Sequence, residues 1–226
     1  MKRLIMTMLV IAIGAGLYAQ NNFFPSKVGM VLTYAENDAR GTVQSYSVLT
    51  IKDVKGSGRN MTVTYGANAL DKDRKQSKDF PTEQIFQVTI KDNVAIMDMK
   101  QLFPTGQGVK VEVTGTALEL PSNLRVGQAL KDSVVTGTMD LGIMKMSTVI
   151  KMTEGKCLAI EDVRVPAGTF KCHKITQKIT STAMGVNNVG TTISWYAPNI
   201  GTVKTESYDD KNKLVSGTVL VELKGN

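Results

Sequence analysis

The stretch Lys156-Cys157-Leu158-Ala159-Ile160-Glu161-Asp162-Val163-Arg164-Val165-Pro166-Ala167-Gly168-Thr169-Phe170-Lys171-Cys172-His173-Lys174-Ile175-Thr176-Gln177-Lys178-Ile179-Thr180 decides the fold class. Val, Ile and Thr dominate it, and such side chains suit a pleated, half-buried surface. Pro166 presets φ, Gly168 can take a left-handed position, and Thr169-Phe170 restarts the extended pattern, so two antiparallel strands meet at a hairpin tip. A four-residue loop from Pro166 to Thr169 would place Val165 opposite Phe170. It would also set Val163 opposite Cys172, Asp162 opposite His173, Glu161 opposite Lys174 and Cys157 opposite Lys178.

The same chemistry extends in both directions. Alternating segments rich in Val, Thr and Ile predict strands over residues 30–36, 42–54, 61–70, 84–91, 94–99, 109–118, 133–139, 144–152, 156–165, 170–180, 191–196, 202–208 and 214–223. Between them lie turn residues. Lys91-Asp92-Asn93-Val94 supplies the positive-φ positions of a tight hairpin, and residues 208–213 a longer one. The expectation is all-β: a single antiparallel, strongly curved meander sheet or barrel, with a two-sheet β-sandwich as the alternative. No Pro/Gly/Ser linker divides the chain, so residues 20–226 are read as one domain.

Residues 1–19 are a different kind of sequence. Lys2 and Arg3 precede the apolar run Leu4 to Gly16 and then Leu17-Tyr18-Ala19, the pattern of a bacterial secretory signal cut between Ala19 and Gln20. The run is shorter than the ~20 apolar residues of a spanning helix. No cysteine follows the cut, so the expectation is a periplasmic or secreted chain with no stable membrane anchor. Of the 27 Lys and Arg residues two lie in this leader, so the exported chain carries +5 rather than +7. Its basic residues are dispersed among acids without an aromatic stripe, which argues against a nucleic-acid surface.

Three stretches carry a resemblance: Leu120-Pro121-Ser122-Asn123-Leu124-Arg125-Val126-Gly127-Gln128-Ala129-Leu130-Lys131-Asp132, then Val165-Pro166-Ala167-Gly168-Thr169-Phe170-Lys171-Cys172, then Trp195-Tyr196-Ala197-Pro198-Asn199-Ile200-Gly201-Thr202-Val203-Lys204-Thr205-Glu206. In this order they resemble the exported domain-of-unknown-function family numbered 3108 and its Bacteroidota-type relatives, over roughly the C-terminal half. The resemblance implies a periplasmic, curved antiparallel sheet or barrel of uncharacterised function, and brings no catalytic residues. In such bacteria Asp132-Ser133-Val134 would also resemble an O-glycan attachment site.

Candidate chemistry is sparse. His173 is the only histidine, which excludes a histidine-cluster metal site, and its neighbour Cys172 points to the opposite face of a strand. The pairs Glu161-Asp162 and Asp209-Asp210 are sequence neighbours that do not converge as acid and base. Catalytic residues, metal ligands and cofactors are therefore all expected to be absent. Cys157 and Cys172 sit six positions out of register in the hairpin above, roughly 20 Å at strand rise, and are expected as free, buried thiols.

Methionine is the unusual residue, with nine of twelve beyond the leader. Met97 with Met99, and Met144 with Met146, share strand parity, and flexible thioethers suit a site that accepts varied apolar shapes. These four and Trp195, a large ring at a strand end, are the candidate ligand-binding residues. The expected function is non-enzymatic binding of an apolar or lipid-like small molecule, or of an envelope protein. A carboxylate-dependent hydrolase and a structural envelope component are the alternatives.

Overall fold

The computed structural model describes residues 22–98, 110–140 and 145–225. The leader and its cut lie outside them, as do Met99 and Met144. Among the described residues thirteen strands form: β1 (Val31–Asp38), β2 (Val43–Ser57), β3 (Asn60–Asp71), β4 (Gln84–Lys91), β5 (Val94–Met97), β6 (Lys110–Gly115), β7 (Leu118–Pro121), β8 (Ser133–Asp140), β9 (Lys145–Val165), β10 (Gly168–Ala183), β11 (Val186–Ala197), β12 (Gly201–Asp209) and β13 (Leu214–Lys224). There is no helix among the described residues.

The strands pair as one antiparallel sheet in the order β6-β8-β9-β10-β11-β12-β13-β1-β2-β3-β4-β5-β7. It is all-β as the alternation requires, but it is neither a closed barrel nor a sandwich of two sheets. The simple meander also needs correction. Two meanders share a seam, where the first strand pairs with the last from Val31 opposite Lys224 to Asp38 opposite Ser216. Strands β6 and β7, consecutive in the chain, form the two opposite edges. The predicted strand over 109–118 joined them because both alternate. Gly115 breaks it at φ 126, where an added Cβ would lie 2.1 Å from the Val134 carbonyl oxygen. Conversely, the predicted strands 144–152 and 156–165 are one strand, β9. Glu154 stands at φ 55 where its register slips.

The turns are built from few parts. Asp92 and Asn93 take φ 50 and 65 between the paired Lys91 and Val94, as the hairpin there requires. Asp38, Asp71 and Asp209 open three turns with one chemistry. Each Oδ1 accepts the backbone N–H groups two and four residues on, at 2.8–3.0 Å. A left-handed residue stands third after the aspartate in each: Gly41, Arg74 and Asn212. For Asp38, the bond from the Thr42 N–H is the main cause that holds the carboxyl below its usual range.

At the decisive hairpin the loop has two residues, not four: Gly168 pairs with Val165 and Phe170 with Val163. Pro166-Ala167 makes the turn, Gly168 continues as strand at φ 142, and the Ala167 N–H donates outward to Leu220 O at 3.4 Å. Because the slip is two residues, each side chain keeps its face. Cys172 now faces Glu161 and Cys157 faces Ile175, so the sulfurs are three to four positions apart rather than six. Three positions span about 10 Å, still beyond the ~7 Å that a disulfide allows between Cα atoms. Both cysteines are free and fully buried, and burial pushes the Cys172 thiol up to about 12, with Asp162 and Glu161 adding to the shift. Thiol titration of unreduced protein is expected to give two thiols per chain in denaturant and slow reaction when native. Zero thiols in denaturant would refute the register.

The sheet curls strongly. Ala167, at the tip joining β9 and β10, reaches Leu220 of β13 although β11 and β12 lie between β10 and β13 in the order. The segment after β7 spans the open side. From the edge opposite β6 it docks on β9: Gly127 N donates to Cys157 O, Cys157 N to Gln128 O and Leu130 N to Gly155 O, at 2.8–2.9 Å. Leu124 and Leu130 are buried beneath it. Gly155 permits the approach, because a Cβ there would lie 2.9 Å from Leu130 Cβ. One apolar cluster results, running from Ile51, Val63 and Val88 on one meander to Ile175, Trp195 and Val203 on the other.

Candidate functional site

The N-terminal segment Asn22-Phe23-Phe24-Pro25 packs against the turn between β11 and β12. Asn199 N donates to Asn22 O at 2.7 Å, and Asn22 Oδ1 in turn accepts the Phe24 N–H at 2.8 Å. Gly201, at φ 87, lets the segment come close: an added Cβ would lie 3.2 Å from Pro25 Cδ. Phe23 meets His173 edge-on at 4.8 Å between ring centroids and Tyr196 at 6.0 Å. On the other side Phe24, Tyr65 and Phe86 follow at 5.2 and 5.4 Å. Burial holds His173 below its usual imidazole value, with Lys171 adding to the effect and a hydrogen bond with the Leu124 backbone opposing it.

Under this segment lies a cavity of about 350 Å³, partly open to solvent. Phe23, Phe24 and Pro25 cover it, Leu49, Ala67, Ala95, Met97 and Leu120 line it from the first meander, and Tyr196, Ile200 and Thr202 from the second. The walls are overwhelmingly aliphatic and aromatic, and the volume falls in the range of small-molecule sites. Tyr34, on β1, donates its phenol to Thr202 O at 3.0 Å, tying the meanders together across the cavity. Burial is the main cause that raises the phenols of Tyr34 and Tyr196, which stay protonated. Two of the lining hydroxyls, on Ser47 and Thr218, donate to one carboxylate: Ser47 Oγ to Glu36 Oε1 at 3.2 Å and Thr218 Oγ1 to Glu36 Oε2 at 2.6 Å. A depression of about 320 Å³ over β2, β3 and β4, between Lys55 and Lys91, is far more open.

The residues singled out in the sequence are divided by the structure. Met97 lines the cavity and packs on the core. Met146 lies on β9 opposite Met139, away from the cavity lining. Trp195 is 6% exposed and belongs to the core rather than to the cavity wall. Its Nε1 donates to Glu161 Oε1 at 2.7 Å, and the ammonium groups of Lys174 and Lys204 stand 5.0 and 4.8 Å from its ring centroid. Glu161 thus serves Trp195 and Lys174, and Asp209 its turn. Ser133 is buried, with its Oγ donating to Thr116 O at 2.8 Å, so the folded chain does not present it to a glycosylating enzyme. No group of three or more His, Cys, Asp and Glu is placed to hold a metal among the described residues.

Missed in the sequence were the aromatic pair Phe23-Phe24, Tyr34, Tyr196 and Glu36. A Phe-Phe-Pro run directly after the leader expected from the sequence was the available signal, since two adjacent aromatic rings outside any strand need a surface to bury them.

No curated protein matches the chain. Among solved structures, one described as a "putative exported protein with YmcC-like fold", from Bacteroides fragilis, superposes with a TM-score of 0.72 at 22% identity, covering 90% of this chain and 99% of that one. Another, a "putative lipoprotein" from Parabacteroides distasonis, gives 0.73 at 22% identity with the same coverage. The shared fold is therefore YmcC-like. The family model described as DUF3108-like matches residues 27–220, so the likeness first legible in the three C-terminal motifs extends through both meanders, and the chain belongs to the DUF3108-like family.

Proposed function

We propose that this chain is an exported, periplasmic binding protein that holds one apolar small molecule in the cavity beneath Phe23 and Phe24, and that it performs no catalysis. The observation that carries this reading is a cavity of about 350 Å³ between two meanders, walled by Tyr196, Leu49, Met97 and Leu120 beside the apolar core. Close packing is the norm for protein interiors, and an apolar void of this size forfeits contacts that a ligand would restore. The leader and the exported and lipoprotein descriptions of the structural neighbours support placement in the cell envelope, where lipid-like molecules are abundant.

The test uses N-phenyl-1-naphthylamine, an apolar dye that brightens when it leaves water. It is expected to bind once per chain. Ala67→Phe, which fills the cavity from β3, is expected to weaken that binding by about tenfold or more while leaving the unfolding midpoint within a few degrees. Undiminished binding by a folded Ala67→Phe protein would contradict the assignment of the site.

A further inference from the structure

The apolar walls do not say what the ligand's polar end is, but a carboxylate bonded to two lining hydroxyls bears on it. Glu36 on β1 sits one residue pair along the face from Tyr34. It stands directly behind the lining rather than in it: Ser47 and Thr218 line the cavity and donate their hydroxyl protons to its two oxygens. Its cross-strand partners, Ser45 on β2 and Thr218 on β13, are hydroxyl residues, and among the described residues no Lys or Arg forms an ion pair with it. The next residue on that face, Asp38, is also acidic and lies 3.7 Å from Arg40.

We infer that the ligand is an amphiphile whose polar end is a hydrogen-bond donor, neutral or cationic, and that Glu36 excludes anionic amphiphiles such as free fatty acids. This rests on the reading of the cavity as the ligand site. A second carboxylate brought close to Glu36 would meet like charge with no ion-paired cation to offset it, which weakens its binding. An alcohol or an ammonium group instead donates to a carboxylate oxygen, and charge-assisted bonds of that kind are the stronger ones. Specificity here would come from the repulsive element as much as from the attractive one.

Three probes with one alkyl chain and different heads, 1-dodecanol, dodecylammonium and dodecanoate, each below its micellar concentration, are to displace N-phenyl-1-naphthylamine from the full mature chain. The alcohol and the ammonium are expected to compete at least about tenfold better than dodecanoate. In Glu36→Gln, dodecanoate is expected to come within roughly threefold of the alcohol. Dodecanoate competing as well as the alcohol against the wild-type chain overturns the inference, and that comparison needs no variant to fold. Discrimination that persists undiminished in a folded Glu36→Gln protein removes Glu36 from the explanation. If none of the three displaces a dye that does bind, the cavity is not an amphiphile site and this inference falls with it.

Discussion

Leu220→Ala is expected to lower the stability of the chain by about 2–5 kcal/mol. Leu220 is fully buried on β13 and pairs with Tyr34 of β1, at the seam where the two meanders meet. Its backbone carbonyl also takes the N–H of Ala167 from the β9–β10 tip. Truncation removes its side chain from the point where the first strand, the last strand and the curled hairpin converge, and neighbours held on three sides cannot collapse into the space. A denaturant series checks this: the midpoint should fall with the slope unchanged. Val215→Ala, on the same strand but 47% exposed, should stay within about 0.5 kcal/mol. Equal losses from the two would show that the seam is not part of one core.

Trp195→Ala is expected to cost about 3–5 kcal/mol, the other large effect. The ring is the only indole in the chain. It packs into the apolar cluster with its Nε1–H anchored on Glu161 and two ammonium groups near its ring. Trp195→Phe keeps most of the packing and removes the donor. Because Glu161 is 43% exposed, water can replace that bond, and the loss should be about 1–2 kcal/mol. Unfolding followed by circular dichroism, which does not rely on the indole, checks the order. Dye binding should survive Trp195→Phe, since this residue does not line the cavity. Dye binding lost in a folded Trp195→Phe chain would instead make the indole part of the site.

Much of the fold was legible because strand pattern and turn chemistry are local. Alternation in residues such as Val31, Thr33 and Ala35 reports which side chains share a face, and Asp92-Asn93 can hardly be anything but a tight turn. The decisive hairpin was legible to within its loop length. Pro-Ala-Gly-Thr accommodates either a two- or a four-residue turn, and the folded two-residue turn has a distant partner that local sequence does not show, the Ala167 N–H donating to Leu220 O. Strand order was not legible. Nothing in residues 110–121 says that β6 and β7 go to opposite edges, because that depends on which partners have unpaired edges after the rest of the chain has folded. The cavity is a property of the assembled sheet in the same way. Methionine parity led to Met97, but Phe23 and Tyr34 meet Tyr196 from more than a hundred residues away in the chain.

The most direct test of the central claim is native mass spectrometry of the chain purified, without detergent, from the envelope of the organism that makes it. The account predicts a species heavier than the mature polypeptide by the mass of one small molecule. That molecule should be released on denaturation, extractable into organic solvent, and absent from Ala67→Phe prepared in parallel. Wild-type chain carrying only its polypeptide mass, together with no saturable binding of N-phenyl-1-naphthylamine, would contradict it.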